Sequence, residues 1–171
     1  MPWLPATSIS WGLNVEPLFL LMDGRSGAGK TTLARKYGEE LGLPVIHCDS
    51  FYPGWHGLAA AGRIIAEDIC GLSSGYYEWD WDADRPGDFV SVNLRRGAII
   101  EGCGALTACS ARALAEKGEL LTFYIDAAPE LRKARALRRD ADYAPYWQMW
   151  AEQEERHLAT MPRADIYLTV H

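Results

Sequence analysis

"PLFLLMDGRSGAGKTTLARKYGEEL", residues 17 to 41, decides how the chain folds. It opens as an apolar run that ends in Asp23, the pattern of a strand buried on both faces. From Lys30 onward, Leu33, Tyr37 and Leu41 recur at helical spacing, and Gly42 stops the helix. Between strand and helix, Gly24-Arg25-Ser26-Gly27-Ala28-Gly29-Lys30-Thr31 satisfies G-x-x-x-x-G-K-S/T in full. Its glycines let the backbone curl until successive N–H groups face an anion. The helix that starts there adds its positive end. Such a loop, with Thr32 just beyond it, binds a nucleoside triphosphate: Lys30 reaches the β- and γ-phosphates, and the Thr31 hydroxyl ligates Mg²⁺.

Beyond this unit the chain keeps alternating. Residues 44–49, 97–102, 120–127 and 164–170 read as further buried strands. Helices are expected over 57–72, near 107–117, from Pro129 through "PELRKARALRRD", and over 144–159. "YYEWDWD" (76–82) and "DFVSVN" (88–93) alternate around "ADRPG", which reads as a hairpin. The expected fold class is therefore α/β. It is a three-layer α/β/α phosphate-loop fold with a mostly parallel five-stranded sheet, a small β-hairpin near the acceptor site and a helical lid. Residues 1–171 read as one domain, with 1–16 as a leader that packs by Trp3 and Trp11.

Composition narrows the partners. The chain has 171 residues, 49% hydrophobic and 23% charged, as in an ordinary globule. Its net charge of −6 argues against nucleic acid or an anionic membrane, which both want basic surface, whereas one local cradle suffices for a nucleotide. Cys48, Cys70, Cys103 and Cys109 show neither C-x-x-C nor zinc-ligand spacing and read as free thiols of a reducing cytoplasm. No run is long and apolar enough to span a membrane, and the N-terminus lacks a signal-peptide pattern.

Ligands of open parallel sheets gather at the carboxyl ends of the strands. Asp23, Asp49 and Glu101 stand at three of those ends. Asp49, in "HCDSFYPGW", suits a base that takes the proton of an attacking hydroxyl, and equally suits a turn cap. Glu101, in "AIIEG", suits a Mg²⁺ ligand, direct or through water; the alternative is a surface glutamate. Arg132, Arg135 and Arg139 share roughly one helix face and suit a lid that clamps phosphates, or a solvated basic face.

The aromatic residues Tyr52, Trp55, Tyr76, Tyr77, Trp79 and Trp81 interleave with Glu78, Asp80 and Asp82. Rings that stack and carboxylates that accept hydroxyl hydrogens suit a polyhydroxylated or heterocyclic small molecule, with Tyr52, Tyr77, Trp79 and Asp80 as contacts. Packing of one hairpin face on the core explains half of them as well. Arg63 is the one Lys or Arg of residues 50–82. That scarcity favours a neutral hydroxyl acceptor over a phosphorylated one, with Arg63 as the basic group on hand. His47, His56 and His157 form no metal or triad pattern and read as structural or surface residues.

These motifs together resemble the P-loop small-molecule kinases, and within them the uridine kinase and phosphoribulokinase group. "DGRSGAGKTTLA" is similar to that group's phosphate loop, "CDSFYPG" to its second-strand motif, "YYEWDWD" to its substrate-contacting hairpin, "IIEG" to its third-strand end and "RRD" to its lid. The likeness runs from about residue 17 to 171. It implies transfer of the γ-phosphoryl group of Mg-ATP to a hydroxyl of a small molecule such as uridine. Asp49 would then be the catalytic base, Lys30, Arg135 and Arg139 the charge-stabilising groups, and Thr31 with Glu101 the Mg²⁺ site.

The residues leave other readings open: a nucleoside monophosphate kinase, a sugar or cofactor kinase, or a nucleotide-binding module without catalysis. "DRPG" at 84–87 satisfies the D-x-x-G of a GTPase switch, yet it falls in the hairpin turn and no N-K-x-D guanine-reading motif exists in the chain.

Overall fold

In the computed structural model, which describes residues 15–171, the strand of the opening stretch lies at the centre of the sheet. The strands are β1 (Leu18–Asp23), β2 (Val45–His47), β3 (Gly75–Asp80), β4 (Arg85–Ser91), β5 (Gly97–Glu101), β6 (Glu119–Ala127) and β7 (Ile166–Val170). Five of them form one sheet in the order β2-β5-β1-β6-β7. All its pairings are parallel; Leu20 faces Ile99 of β5 on one side and Leu121 of β6 on the other.

Alternation along β1 builds two cores. Phe19 and Leu21 point to one face, where they join Ile46, Ala98, Ile100 and Leu114; Leu20 and Met22 point to the other, with Ile99, Phe123 and Ile125. Helix α1 (Lys30–Leu41) covers the second face through Leu33, Ala34 and Tyr37. Across the sheet lie α2 (Ala61–Arg63) and α3 (Ala108–Ala115). Helix α3 starts on a capping box in which Thr107 accepts from the Ser110 amide and Ser110 accepts from the Thr107 amide. Helices α4 (Pro129–Arg139) and α5 (Trp147–Leu158) follow, joined by a 3-10 turn over Ala141–Tyr146. The expected α/β fold with a lid and a hairpin is what the chain adopts.

Several boundaries differ from the sequence reading. The single helix expected over 57–72 is a 3-10 turn (Leu58–Ala60), the short α2, and a π-helical stretch (Ile64–Ile69). Its wide turn is sealed by the Cys70 amide donating to the Ile65 carbonyl, and it buries Ile64, Ile65 and Ile69 together. The helix expected from 144 begins at Trp147, because Pro145 holds the preceding residues in the 3-10 turn. The second strand ends at His47, so Asp49 lies in a tight turn, Cys48–Ser50, beyond the strand. The hairpin pairs Gly75 with Ser91 and Asp80 with Arg85, and Asp84 turns the chain at φ 49°. The "DRPG" stretch is thus the turn and the start of β4. The expected packing of Trp3 and Trp11 lies outside the described residues.

The edge of the sheet is tied to β6 by Asp165, whose Oδ2 accepts from the Thr122 hydroxyl at 2.7 Å and from the Thr122 amide at 2.9 Å. These two bonds hold its carboxyl below the ordinary aspartate value of 3.8. The stability they contribute is fully present above that value and is lost as pH falls through the lower folded-state value. Asp165→Asn is expected to flatten the acid limb of stability against pH, measured by urea midpoints; an unchanged acid limb would contradict the assignment.

Candidate functional site

The phosphate loop bridges β1 and α1, and two of its glycines meet direct steric demands. A Cβ on Gly24 would lie 2.1 Å from the Ile125 carbonyl oxygen, and one on Gly27 would lie 2.1 Å from the Arg132 carbonyl oxygen. Gly27 also has φ +77°, so α4 sits on the loop only because no side chain intervenes. Ala28 is fully buried beneath the loop, and Thr32 is exposed on the first turn of α1.

Asp23, expected near the ligand, instead turns inward. Its Oδ1 accepts from the amides of Gly24 (2.6 Å) and Gly104 (3.2 Å), and its Oδ2 from the Leu106 amide (2.7 Å). His157 of α5 closes on the same oxygen through Nε2 at 2.8 Å. Two neighbours on α5 reach the loop as well. Glu154, 3% exposed, accepts from the Ser26 amide at 2.7 Å, and Glu155 pairs with Arg25 at 2.5 Å.

Lys30 donates to the Arg25 carbonyl at 2.9 Å and lies 3.6 Å from the Cys103 sulfur. Burial opposes its charge, but Cys103, Glu101, Glu154 and Asp23 around it prevail and raise its pKa. Burial pushes the Cys103 thiol up to about 12 despite Lys30 beside it, so at neutral pH the thiol is uncharged and carboxylates supply the negative charge around the ammonium.

Thr31 Oγ1 donates to Glu101 Oε1 at 2.9 Å, and His47 Nδ1 lies 2.6 Å from the same oxygen. Glu101 is 3% exposed. Burial works against its charge, and His47, Lys30 and Thr31 more than offset this, so its pKa is lowered. A hydroxyl and an ionised carboxylate in contact at the loop are hard oxygen donors of the kind Mg²⁺ takes, so these residues fit that ion. Among the described residues no larger group of histidines, cysteines and carboxylates could hold a metal.

A cavity of about 470 Å³ opens from this loop. Ser26 and Asp49 line it together with Tyr52, Arg139 and Trp150. Asp49 is exposed to the cavity and crowded elsewhere. Burial pushes its carboxyl above the ordinary range, Glu101 adds to this, and Lys30 and Arg139 offset part of it. Tyr52 is 1% exposed and donates to the Cys103 carbonyl at 2.7 Å. The far wall is aromatic. Trp55 stacks on Tyr146 with ring centroids 4.1 Å apart, and Trp81 leans against Trp55 at 5.1 Å.

Other residues singled out in the sequence stand elsewhere. Arg63 pairs with Glu67 at 3.3 Å on the surface of α2. Tyr77 packs on Phe89 across the hairpin, and Asp80 accepts from the Asp82 and Ala83 amides in the turn. The indole nitrogen of Trp79 is buried without a hydrogen-bond partner among the described residues. The hairpin reaches the cavity through its tip, Trp81 and Asp82, rather than through Tyr77, Trp79 or Asp80. On α4, Arg132 is buried, its Nε donating to the Ala127 carbonyl at 3.1 Å, so it does not share a phosphate-clamping face with Arg139. Arg135 keeps one guanidinium nitrogen buried and unpartnered.

The sequence reading passed over Tyr143, Trp150, Glu154 and the hydrogen-bonding roles of His47 and His157. Tyr143 donates to the Ser26 hydroxyl at 2.9 Å. Its signal was there: 143, 146, 147 and 150 form an aromatic stripe at helical spacing, with Glu154 and His157 following at the same spacing.

No protein-family model matches the sequence, and no curated protein matches it. Solved structures do. A candidate fructose transport system kinase from Silicibacter sp. TM1040 aligns at TM-score 0.56 and 20% identity, over 96% of this chain and 92% of that one. A candidate uridine kinase from Bacillus stearothermophilus aligns at TM-score 0.51 and 19% identity, over 90% of this chain and 89% of that one. An uncharacterized protein from Eubacterium ventriosum aligns at TM-score 0.52 and 10% identity, over 91% and 88%. At these identities the likeness establishes the fold that the chain shares with them.

Asp23→Ala would orphan three buried amides and leave His157 without its partner. Each orphaned group costs about 1–3 kcal/mol. The expected outcome is a loss of several kcal/mol in denaturant unfolding; a change within experimental error would show that the loop does not depend on this carboxylate.

Proposed function

We propose that the chain is an ATP- and Mg²⁺-dependent phosphotransferase that moves the γ-phosphoryl group to a hydroxyl of a small ring compound. A nucleoside such as uridine is the acceptor that the sequence resemblance names. One observation carries the reading: Ser26 of the phosphate loop and Asp49 line the same cavity. A group transferred from the loop and a hydroxyl facing Asp49 would share that space. The kinase descriptions of two structural neighbours support the same class.

In this reading Lys30 and the loop amides hold the β- and γ-phosphates. Thr31 and Glu101 hold Mg²⁺, which neutralises phosphate charge when bound. Asp49 accepts the proton of the acceptor hydroxyl, and its raised pKa makes it a better base than an ordinary aspartate. Arg139, on the cavity wall, offsets charge on the group in flight. Arg135 does not line the cavity, so the reading rests this task on Arg139. The wall of Asp49, Asp82, Asp140 and Asp142 against the single Arg139 disfavours a phosphorylated acceptor, and with it a monophosphate kinase. Four free cysteines fit a cytoplasmic setting.

Asp49→Asn is expected to lower kcat by about 10²–10⁴ while leaving Mg-ATP affinity nearly unchanged. Equal turnover in the variant would remove Asp49 from the mechanism and leave it a turn residue. In the wild type, kcat/KM should rise with pH through the raised Asp49 value and level above it. Arg139→Gln removes a charge that lowers that value, so the acid limb should move to higher pH; a fixed limb would assign it to another group.

A further inference from the structure

The cavity wall is specific in what it leaves free. Three of its neutral donors are spent inside the protein. Tyr52 donates to the Cys103 carbonyl, Tyr143 to the Ser26 hydroxyl, and the Trp81 indole to the Asp49 carbonyl at 3.2 Å. Carboxylates and π surface make up much of the rest of the lining. Asp82 and Asp142 form no ion pair or side-chain hydrogen bond among the described residues, and Asp140 accepts only from the Asp142 amide. Trp81 and Tyr146 keep 40% and 37% of their surface exposed beside them. Among the described residues Arg139 is the one Lys or Arg lining the cavity, and it makes no ion pair with them; Asp49 lines the same cavity.

An anionic ligand such as a carboxylate meets four aspartates against one arginine on this wall. Aromatic faces attract a cation by their quadrupole, and unpaired carboxylates attract it by charge. The two kinds of surface are independent, and both favour the same ligand. We propose that the acceptor is an amine-bearing, positively charged alcohol. Its ammonium group lies between the Trp55–Trp81–Tyr146 rings and the Asp82 and Asp142 carboxylates, and its hydroxyl faces Asp49. The proposal rests on the phosphotransfer reading and narrows its acceptor. Transfer forms the bond from the acceptor oxygen to the γ-phosphorus and breaks that phosphorus's bond to ADP. The hydroxyl proton goes to Asp49.

The test uses matched sets of probes on several scaffolds. One set is an amino sugar, its N-acetyl derivative and the corresponding sugar acid. Another is an amino nucleoside with its hydroxyl parent. A third is choline with its uncharged tert-butyl isostere. Binding is read by tryptophan fluorescence of the full chain with Mg²⁺ and a non-hydrolysable ATP analogue, and turnover by ADP release from Mg-ATP. In at least one set the cationic member should bind roughly tenfold tighter than its neutral partner. An Asp82→Asn/Asp142→Asn double variant should erase that preference without weakening the neutral partner. Exposed positions make the double variant safe to fold, and circular dichroism checks it. Equal affinity within every set, preference for neutral or acidic members, or no binding by any cation would overturn the proposal. Turnover of neutral members alone would overturn it while sustaining phosphotransfer. Cation binding without ADP release in any set would sustain the cation pocket and remove the phosphotransfer reading.

Discussion

The carboxylate of Asp23 is the contact on which the rest depends. It sits at the end of the central strand, 1% exposed, and its two oxygens serve three amides and one imidazole. Those partners belong to the start of the phosphate loop, the segment after β5 and helix α5. Each would need another acceptor if the carboxylate were absent, and none is at hand in the interior. One side chain therefore fixes the loop's take-off, places Cys103 and Gly104 beside Lys30, and docks α5 on the loop.

Docking of α5 joins two tasks. Glu154 and Glu155 hold Ser26 and Arg25 in the loop, while Gln153 on the same helix donates to the Trp55 carbonyl at 2.7 Å and Trp150 packs edge-on against Tyr52 at 4.9 Å. The helix that braces the phosphate site thus also sets the aromatic wall of the cavity. The charge of the cavity lining is uneven, with Asp49, Asp82, Asp140 and Asp142 against Arg139. A field of that sign attracts a cationic ligand before any chemistry takes place.

The sequence made legible whatever is local. A glycine pattern between a buried run and an amphipathic helix is satisfied within a dozen residues, so the loop and its flanking elements followed directly. Strand-end positions brought Asp49 to the cavity and Glu101 to Thr31, because parallel strands end on one edge. Residues whose roles depend on distant partners were harder. Arg63 and Asp80 have the right chemistry for a ligand, but a neighbour one helical turn away claims Arg63, and two turn amides claim Asp80. Arg132 shares a periodic face with Arg139 in the sequence, yet the close approach of α4 to Gly27 buries it. Glu154 and His157 lie more than a hundred residues from the atoms they bind, and no local pattern encodes that meeting.

Acceptor-dependent release of ADP from Mg-ATP is the most direct measurement, with hydroxyl compounds supplied in groups of nucleosides, sugars and amino alcohols. A phosphate loop and a carboxylate that share one cavity predict that at least one group raises ADP release well above the rate without acceptor. Release that stays at the acceptor-free rate across all groups, in a protein shown to bind Mg-ATP, would contradict phosphotransfer and leave a nucleotide-binding module in its place.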